Sequence, residues 1–593
     1  INKTMLRIDL AKPLLPGQSI SFQIKWWYNI NDRMQVGGRS GYEYFETDQN
    51  YLYTIAQFFP RMCVYNDVTG WQNKQFLGRG EFTLPFGDYE VSITVPADHI
   101  VAATGECQNY ASILTAEQRK RYEQAKKSDS PVLIVTQAEA EAAEKNKAEK
   151  TKTWVYKATN VRDFAFASSR KFIWDAQNVK VGGKNIMAMS YYPKEGNPLW
   201  EKYSTRLIVQ TLKTYSKHTF DYPYPVAISV HANSIGMEYP MICFNGGRPD
   251  ADGTYSEATK HGMLSVIIHE VGHNFFPMII NSDERQWTWM DEGLNSFVQY
   301  LAEMEWDVDY PSRRGPAYKI ARYMQSPALS MVPIMTNSES IKQFGDNAYG
   351  KPATGLNILR ETVLGRELFD FAFKTYCERW AFKHPEPADL FRSMEDASGV
   401  DLDWFWRAWF YSTDYTDIGV KDVKKYYVSS KMNKQVREMI EARGMKESDL
   451  PPLVYLVEEG SEDFEEAMKT QTLNDVTTLQ TYIMDNISPE DRAKLKSPSF
   501  FYDVTFEKPG GIPMPIIVEY TYSDGSTKRE TFPAQIWRKN DKEVRKVVAS
   551  QMEIVKIMVD PDEETADIDT NNNAWPKRKK LGEFKDFKDK VKN

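Results

Sequence analysis

In the stretch LSVIIHEVGHNFF, residues 264–276, His269 and His273 stand four residues apart with Glu270 beside the first. On a helix that spacing places both imidazoles on one face about 6 Å apart along the axis, so they can converge on one metal ion. Glu270 is then placed to reach a metal-bound water without itself binding the metal. Leu264, Ile267, Ile268 and Val271 make the same segment apolar, and burying two imidazoles and a carboxylate there without a partner is costly. A bound ion removes that cost. Three protein ligands with one open position is the pattern of catalytic zinc, whereas structural sites are closed by four ligands. Glu292 supplies the third ligand. It follows His273 after eighteen intervening residues, inside the next helical segment WTWMDEGLNSFVQYLAE.

H-E-x-x-H, eighteen residues and then a glutamate in a W-x-[ND]-E-G helix resembles the aminopeptidase N-like zinc metallopeptidases, the gluzincin aminopeptidases related to the leukotriene-type epoxide hydrolases. The resemblance extends to AQFFPRMCVYNDVTGW, NVRDFAFASS, SIGMEYPM, AYGKPATGLNIL and DLDWFWRAWFY. Asp291 stands where that family more often has Asn. The resemblance implies an anchor for the substrate's free amine in a G-x-M-E-N segment, here Ile235-Gly236-Met237-Glu238-Tyr239. Met237 and Glu238 match it, while Ile235 and Tyr239 replace the first Gly and the closing Asn. Gln57 in AQFFP resembles the glutamine that reaches the same amine from the β domain. Tyr349 in Tyr349-Gly350-Lys351-Pro352-Ala353 fits the tyrosine that donates to the oxyanion, with Pro352 in place of Gly; Tyr318 and Tyr323 stand behind it as alternatives.

The expected function is that of a zinc-dependent aminopeptidase with one Zn2+ per chain, acting on peptides with a free N-terminus. Zinc lowers the pKa of a bound water towards about 7 and Glu270 acts as general base and then as acid to the leaving amine. The alternatives are an epoxide hydrolase/aminopeptidase of the same family and a catalytically silent scaffold of the same fold.

Three kinds of segment must position these residues. From residue 1 to 169, short alternating runs such as SISFQIKWWYNI, YEVSITVPA and TWVYKAT read as an all-β domain. Residues 114–150 interrupt it with two polar helical runs, where Thr115 with Gln118 and Thr136 with Glu139 fit capping boxes. From 170 to 416 longer segments of 3.6 period, including LWEKYSTRLIVQTLKTYSKH, read as a mainly helical catalytic domain. Residues 417–593 return to strand-like runs, a small β-sandwich with a helical insertion at about 431–498 and a basic tail. With the resemblance, the fold class is multidomain α+β: an N-terminal saddle-like β domain, a thermolysin-like catalytic domain and the C-terminal sandwich.

The net charge of −8, from 82 acidic against 74 basic residues, argues against nucleic acid as a partner. No run of eighteen apolar residues offers a membrane span. Four cysteines without C-x-x-C spacing form neither a disulfide framework nor a zinc knuckle. GDNAYGKP satisfies G-x-x-x-x-G-K, but Pro352 stands where a phosphate loop needs Ser or Thr. The acidic run DPDEETADIDTNNN lacks the glycine and final glutamate of an EF-hand loop. The chain opens without an initiator Met in strand-like INKTMLRIDL, so missing N-terminal residues are expected. The motifs look most like those of exported bacterial members, periplasmic or cell-envelope, with a cytoplasmic location as the alternative. Oligomeric state is not readable.

Overall fold

The computed structural model describes residues 1–429, 433–444, 446, 453–457, 469, 481–482, 484–494 and 500–577. The chain divides into two compact units, one of residues 1–315 with 328–402 and one of 316–327 with 403–593. Most of the expected insertion at 431–498, and the basic tail from 578, lie outside the described residues.

In the first unit, strands β1 (Gly41–Phe45), β2 (Asn50–Ile55), β3 (Ile100–Ala103), β4 (Val132–Val135) and β5 (Phe166–Ser169) begin the fold. Four of them form an antiparallel sheet in the order β1-β2-β5-β3. Gly87–Pro96, Thr151–Val161 and Glu106–Cys107 make a second antiparallel sheet. Between these strands lie α1 (Ala116–Ala125) and α2 (Gln137–Asn146), and both expected capping boxes are present: Thr115 and Thr136 each accept from the amide three residues on, and Gln118 and Glu139 reach back.

Strands β6 (Ile173–Val181), β7 (Lys184–Tyr192), β8 (Val226–His231), β9 (Gly236–Tyr239) and β10 (Ile242–Asn245) join β4 in a mixed sheet ordered β9-β10-β8-β7-β6-β4. This sheet takes strands from both sides of residue 170. Its centre is parallel, β7 beside β8 and β8 beside β10. β8 is buried along its whole length, as expected of parallel strands covered on both faces. Helices α3 (Leu199–His218), α4 (Glu257–Gly272) and α5 (Thr288–Trp306) pack on one another, and α4 also packs on β8, β9 and β10. The zinc-motif helix is thereby wedged between two helices and the sheet edge that carries Glu238.

One expectation fails. Residues 19–30, SISFQIKWWYNI, belong to no sheet, with Phe22 58% and Trp27 85% exposed. The alternation is present, but no strand among the described residues pairs with this backbone, and alternation alone does not hold a strand.

The second unit contains two four-stranded antiparallel sheets. One is ordered Leu453–Val457, Gly419–Ser429, Phe500–Glu507, Glu543–Ser550, and the other Thr527–Phe532, Ile516–Tyr522, Ile554–Val559, Ala574–Trp575. Tyr318 and Tyr323, on the short helix Tyr318–Met324, belong to this unit. Among the described residues no helix is long and apolar enough to cross a membrane.

Candidate active site

Ser256 caps α4 by accepting from the Thr259 amide at 3.0 Å. The helix carries His269 and Glu270 in its last turn, and His273 is its C-terminal cap. Gly272 lets the helix come this close to its neighbours: a Cβ there would lie 2.2 Å from the Tyr215 hydroxyl of α3 and 2.4 Å from Asn295 Oδ1 of α5. Asn295 Nδ2 in turn donates to the His269 carbonyl at 2.8 Å, which ties α5 to the ligand turn.

The two Nε2 atoms of His269 and His273 face each other at 3.0 Å. Glu292 Oε2 completes a triangle, 3.0 Å from His269 Nε2 and 3.3 Å from His273 Nε2. The opposite ring nitrogens have acceptors: Gln299 Oε1 lies 2.8 Å from His269 Nδ1 and the Phe276 carbonyl 2.8 Å from His273 Nδ1. Each Nδ1 therefore carries the proton and each Nε2 presents a lone pair to the same point. Two lone pairs and a carboxylate oxygen directed at one point repel unless a cation sits there. Ligand atoms about 2.0–2.1 Å from a tetrahedral zinc are separated by about 3.3 Å. The three residues fit zinc.

Several contacts around the ligands were not anticipated from the sequence. Asp291 Oδ1 lies 2.8 Å from His273 Nδ1, beside the Phe276 carbonyl that accepts the hydrogen bond. Gln299 also donates to Glu303 Oε1 at 2.8 Å. Asn295, Gln299 and Glu303 follow Glu292 by three, seven and eleven residues, so the signal was a polar stripe at helical spacing on an otherwise apolar helix.

Tyr349 lies in a wide π-type turn, Gly345–Gly350, that leads into α6 (Lys351–Ile358). Such turns occur often at functional sites. Its hydroxyl donates to Glu292 Oε1 at 2.6 Å. Gly293 makes this approach possible, since a Cβ there would meet Pro352 Cγ at 2.5 Å and the Ala348 carbonyl at 3.0 Å. The Arg314 guanidinium lies 4.5 Å from the centre of the Tyr349 ring.

Glu238 is on the edge strand β9, 4% exposed, and one of its carboxylate oxygens falls within 4.8 Å of ligand atoms of Glu270 and His273. Gly236, on the same face of β9, leaves room for Glu270, whose Oε1 would lie 2.6 Å from a Cβ. Met237 and Gln57 line a small cavity with Glu238, Tyr239 and Arg61. All the residues predicted for the site from the sequence, Gln57, Met237, Glu238, His269, Glu270, His273, Glu292 and Tyr349, belong to the first unit.

Burial is the main influence on the acids. It pushes Glu270 well above the ordinary carboxylate range, with Glu238 and Glu292 adding repulsion against the opposing pull of His273. Burial also lifts Glu238, to about 7. Glu292 is partly buried, which by itself would raise it, yet His273 and His269 outweigh that and hold it well below the usual range. Neighbouring charges thus push Glu292 and Glu270 in opposite directions.

Residues 203–409 match the Peptidase family M1 domain. Over that stretch the chain is similar to M1 peptidases. Aminopeptidase M1-D of Oryza sativa subsp. japonica is 26% identical over 243 residues, covering 39% of this chain and 28% of that protein. Aminopeptidase N of Lactococcus lactis subsp. lactis is 19% identical over 283 residues, 42% of this chain and 33% of its own length. The chain thus spans about a third or less of the length of these two relatives. Legionella pneumophila aminopeptidase A, solved in complex with aspartic acid, superposes with a TM-score of 0.50 at 11% identity, covering 88% of this chain and 47% of that one. It shares the multidomain fold. The M1 match includes every zinc-ligand candidate, Glu238, Glu270 and Tyr349, and leaves Gln57 outside.

Proposed function

We propose that this chain is a zinc-dependent aminopeptidase that hydrolyses the N-terminal peptide bond of peptides. The observation that carries this reading is the convergence of His269, His273 and Glu292 on one point, with the Glu238 carboxylate within 4.8 Å of ligand atoms of Glu270 and His273. His269 Nε2, His273 Nε2 and Glu292 Oε2 would hold the ion, which when bound supplies Lewis acidity for the scissile carbonyl and for water.

The residues do the rest. Glu270, raised by burial, takes the proton from the attacking water and delivers it to the leaving amine. The Tyr349 hydroxyl, poised at Glu292, donates to the oxyanion as the carbonyl becomes tetrahedral. Glu238 and Gln57 hold the free ammonium by charge-assisted contact, and an acetylated or internal peptide cannot reproduce that contact. Met237 forms part of the wall beside it.

The test is hydrolysis of aminoacyl reporter amides by the full chain, with metal analysis. The reading expects one zinc per chain, activity lost in Glu270→Gln with zinc retained, and no turnover of N-acetylated substrate. Full activity in Glu270→Gln, or equal turnover of the acetylated amide, overturns it.

A further inference from the structure

Tyr239 occupies the place where the resembled motif closes on Asn, and its side chain reaches out of the catalytic sheet to the β region. Tyr239 is 2% exposed and its ring packs at a tilt against Phe244, with centroids 5.4 Å apart. The hydroxyl donates to Gln57 Oε1 at 3.1 Å. Successive residues of a strand face opposite ways, so Glu238 turns to Glu270 and the metal centre while Tyr239 turns to the other side. The two nevertheless border one cavity together with Gln57, because β9 is the edge of its sheet.

Gln57 lies just beyond the end of β2 with φ +46. That conformation is uncommon for a non-glycine residue and persists where surrounding contacts impose it. Its side chain is exposed, and an unrestrained amide there would rotate between presenting oxygen and presenting nitrogen.

We infer that Tyr239 is a positioning residue for amine recognition: its hydroxyl holds the Gln57 amide with the oxygen turned to the substrate's ammonium. A carbonyl oxygen has two acceptor sites, so Gln57 Oε1 accepts from Tyr239 and from the ammonium together. The Nε2 group, a donor that an ammonium would repel, is kept away. Replacement of Asn by Tyr in the motif therefore does not weaken the anchor; it links the glutamate of the catalytic sheet to the glutamine of the β region. This inference rests on the aminopeptidase reading for its consequence in kinetics, and on the structure alone for the orientation of Gln57.

The experiment compares zinc-loaded full chain, Tyr239→Phe, Gln57→Ala and the double variant on one aminoacyl anilide. Phe keeps the ring against Phe244 and removes only the donor. Tyr239→Phe is expected to raise KM by about 10-fold, the loss of one hydrogen bond to a charged-ligand anchor, with kcat within about twofold. In the Gln57→Ala background the same change is expected to have no further effect. Multiplying effects in the double variant, or an unchanged KM in Tyr239→Phe, overturn the inference. A wild type that turns over no aminoacyl amide overturns the functional reading instead. Crystal structures of wild type and Tyr239→Phe then decide the matter, because a Gln57 amide that keeps its orientation without the hydroxyl overturns the positioning role.

Discussion

The Tyr349 hydroxyl donates to Oε1 of Glu292 at 2.6 Å, while Oε2 of the same carboxylate faces the two histidines. On the zinc aminopeptidase reading proposed above, one carboxylate fixes both the metal ligand set and the resting place of the oxyanion donor. Tyr349→Phe removes the donor but leaves the ring, which lies 5.8 Å from the His269 ring. The expected result is a loss of about 10²- to 10³-fold in kcat, as for other oxyanion donors, with KM within about threefold and zinc content unchanged. Steady-state kinetics with metal analysis check it. A comparable loss of zinc would show that the hydroxyl serves the ligand rather than the reaction.

Asp291 is a second carboxylate beside one of the proposed ligands, 2.8 Å from His273 Nδ1 and 1% exposed. A partner behind a ligating imidazole holds its ring and raises its basicity, and removing such a partner weakens metal affinity by about 10- to 100-fold. Asp291→Asn keeps the shape and discards the charge. Its zinc dissociation constant, measured by competition with a chromophoric chelator, is expected to rise by that factor while the Phe276 carbonyl keeps the ring orientation. An unchanged constant would show that the carbonyl alone suffices.

Gly293 predicts a different failure. Any Cβ at this position collides with Pro352 and approaches the Ala348 carbonyl, so Gly293→Ala pushes the Tyr349 turn away from α5. Overpacking of this kind costs about 1–3 kcal/mol. Thermal melts should show that loss, and activity should fall by more than the loss of folded protein because the Tyr349 to Glu292 contact opens. Substitution of Pro352 by Gly in the Gly293→Ala background makes room and should recover part of both.

These contacts show which parts of the site could be read in advance. His269, Glu270 and His273 were legible because a helix converts spacing into direction, so two histidines four apart need no knowledge of the fold, whereas Glu292, on the next helix, was read from its spacing and its Trp-Met-Asp-Glu-Gly setting. The capping boxes at Thr115 and Thr136 were legible for the same local reason. The Gly293 to Pro352 contact joins positions 59 apart, and only the folded chain shows why both residue types are needed. Tyr239 read as a departure from a motif, and its partner Gln57, 182 positions away, supplied the meaning. Residues 19–30 show the opposite case: alternation marked a strand face, but a ladder also needs a neighbour, and a sequence pattern does not name one.

Asp175, on β6, supplies a prediction about stability. Its carboxyl is 1% exposed and accepts from the Tyr192 hydroxyl at 2.8 Å and from Thr205 Oγ1. Burial lifts it from 3.8 to about 7, and the two hydroxyls offset only part of that. The folded chain thus binds this proton more tightly than the unfolded chain. The stability linked to it is complete below about pH 4 and is lost progressively as pH rises to about 7, a change of about 4 kcal/mol. Asp175→Asn keeps the shape and cannot ionise. Its melting temperature should fall less than that of the wild type between pH 4 and pH 7 and should exceed it at pH 8. Parallel melting curves for the two proteins across that range would show that Asp175 stays ionised in the fold at low cost.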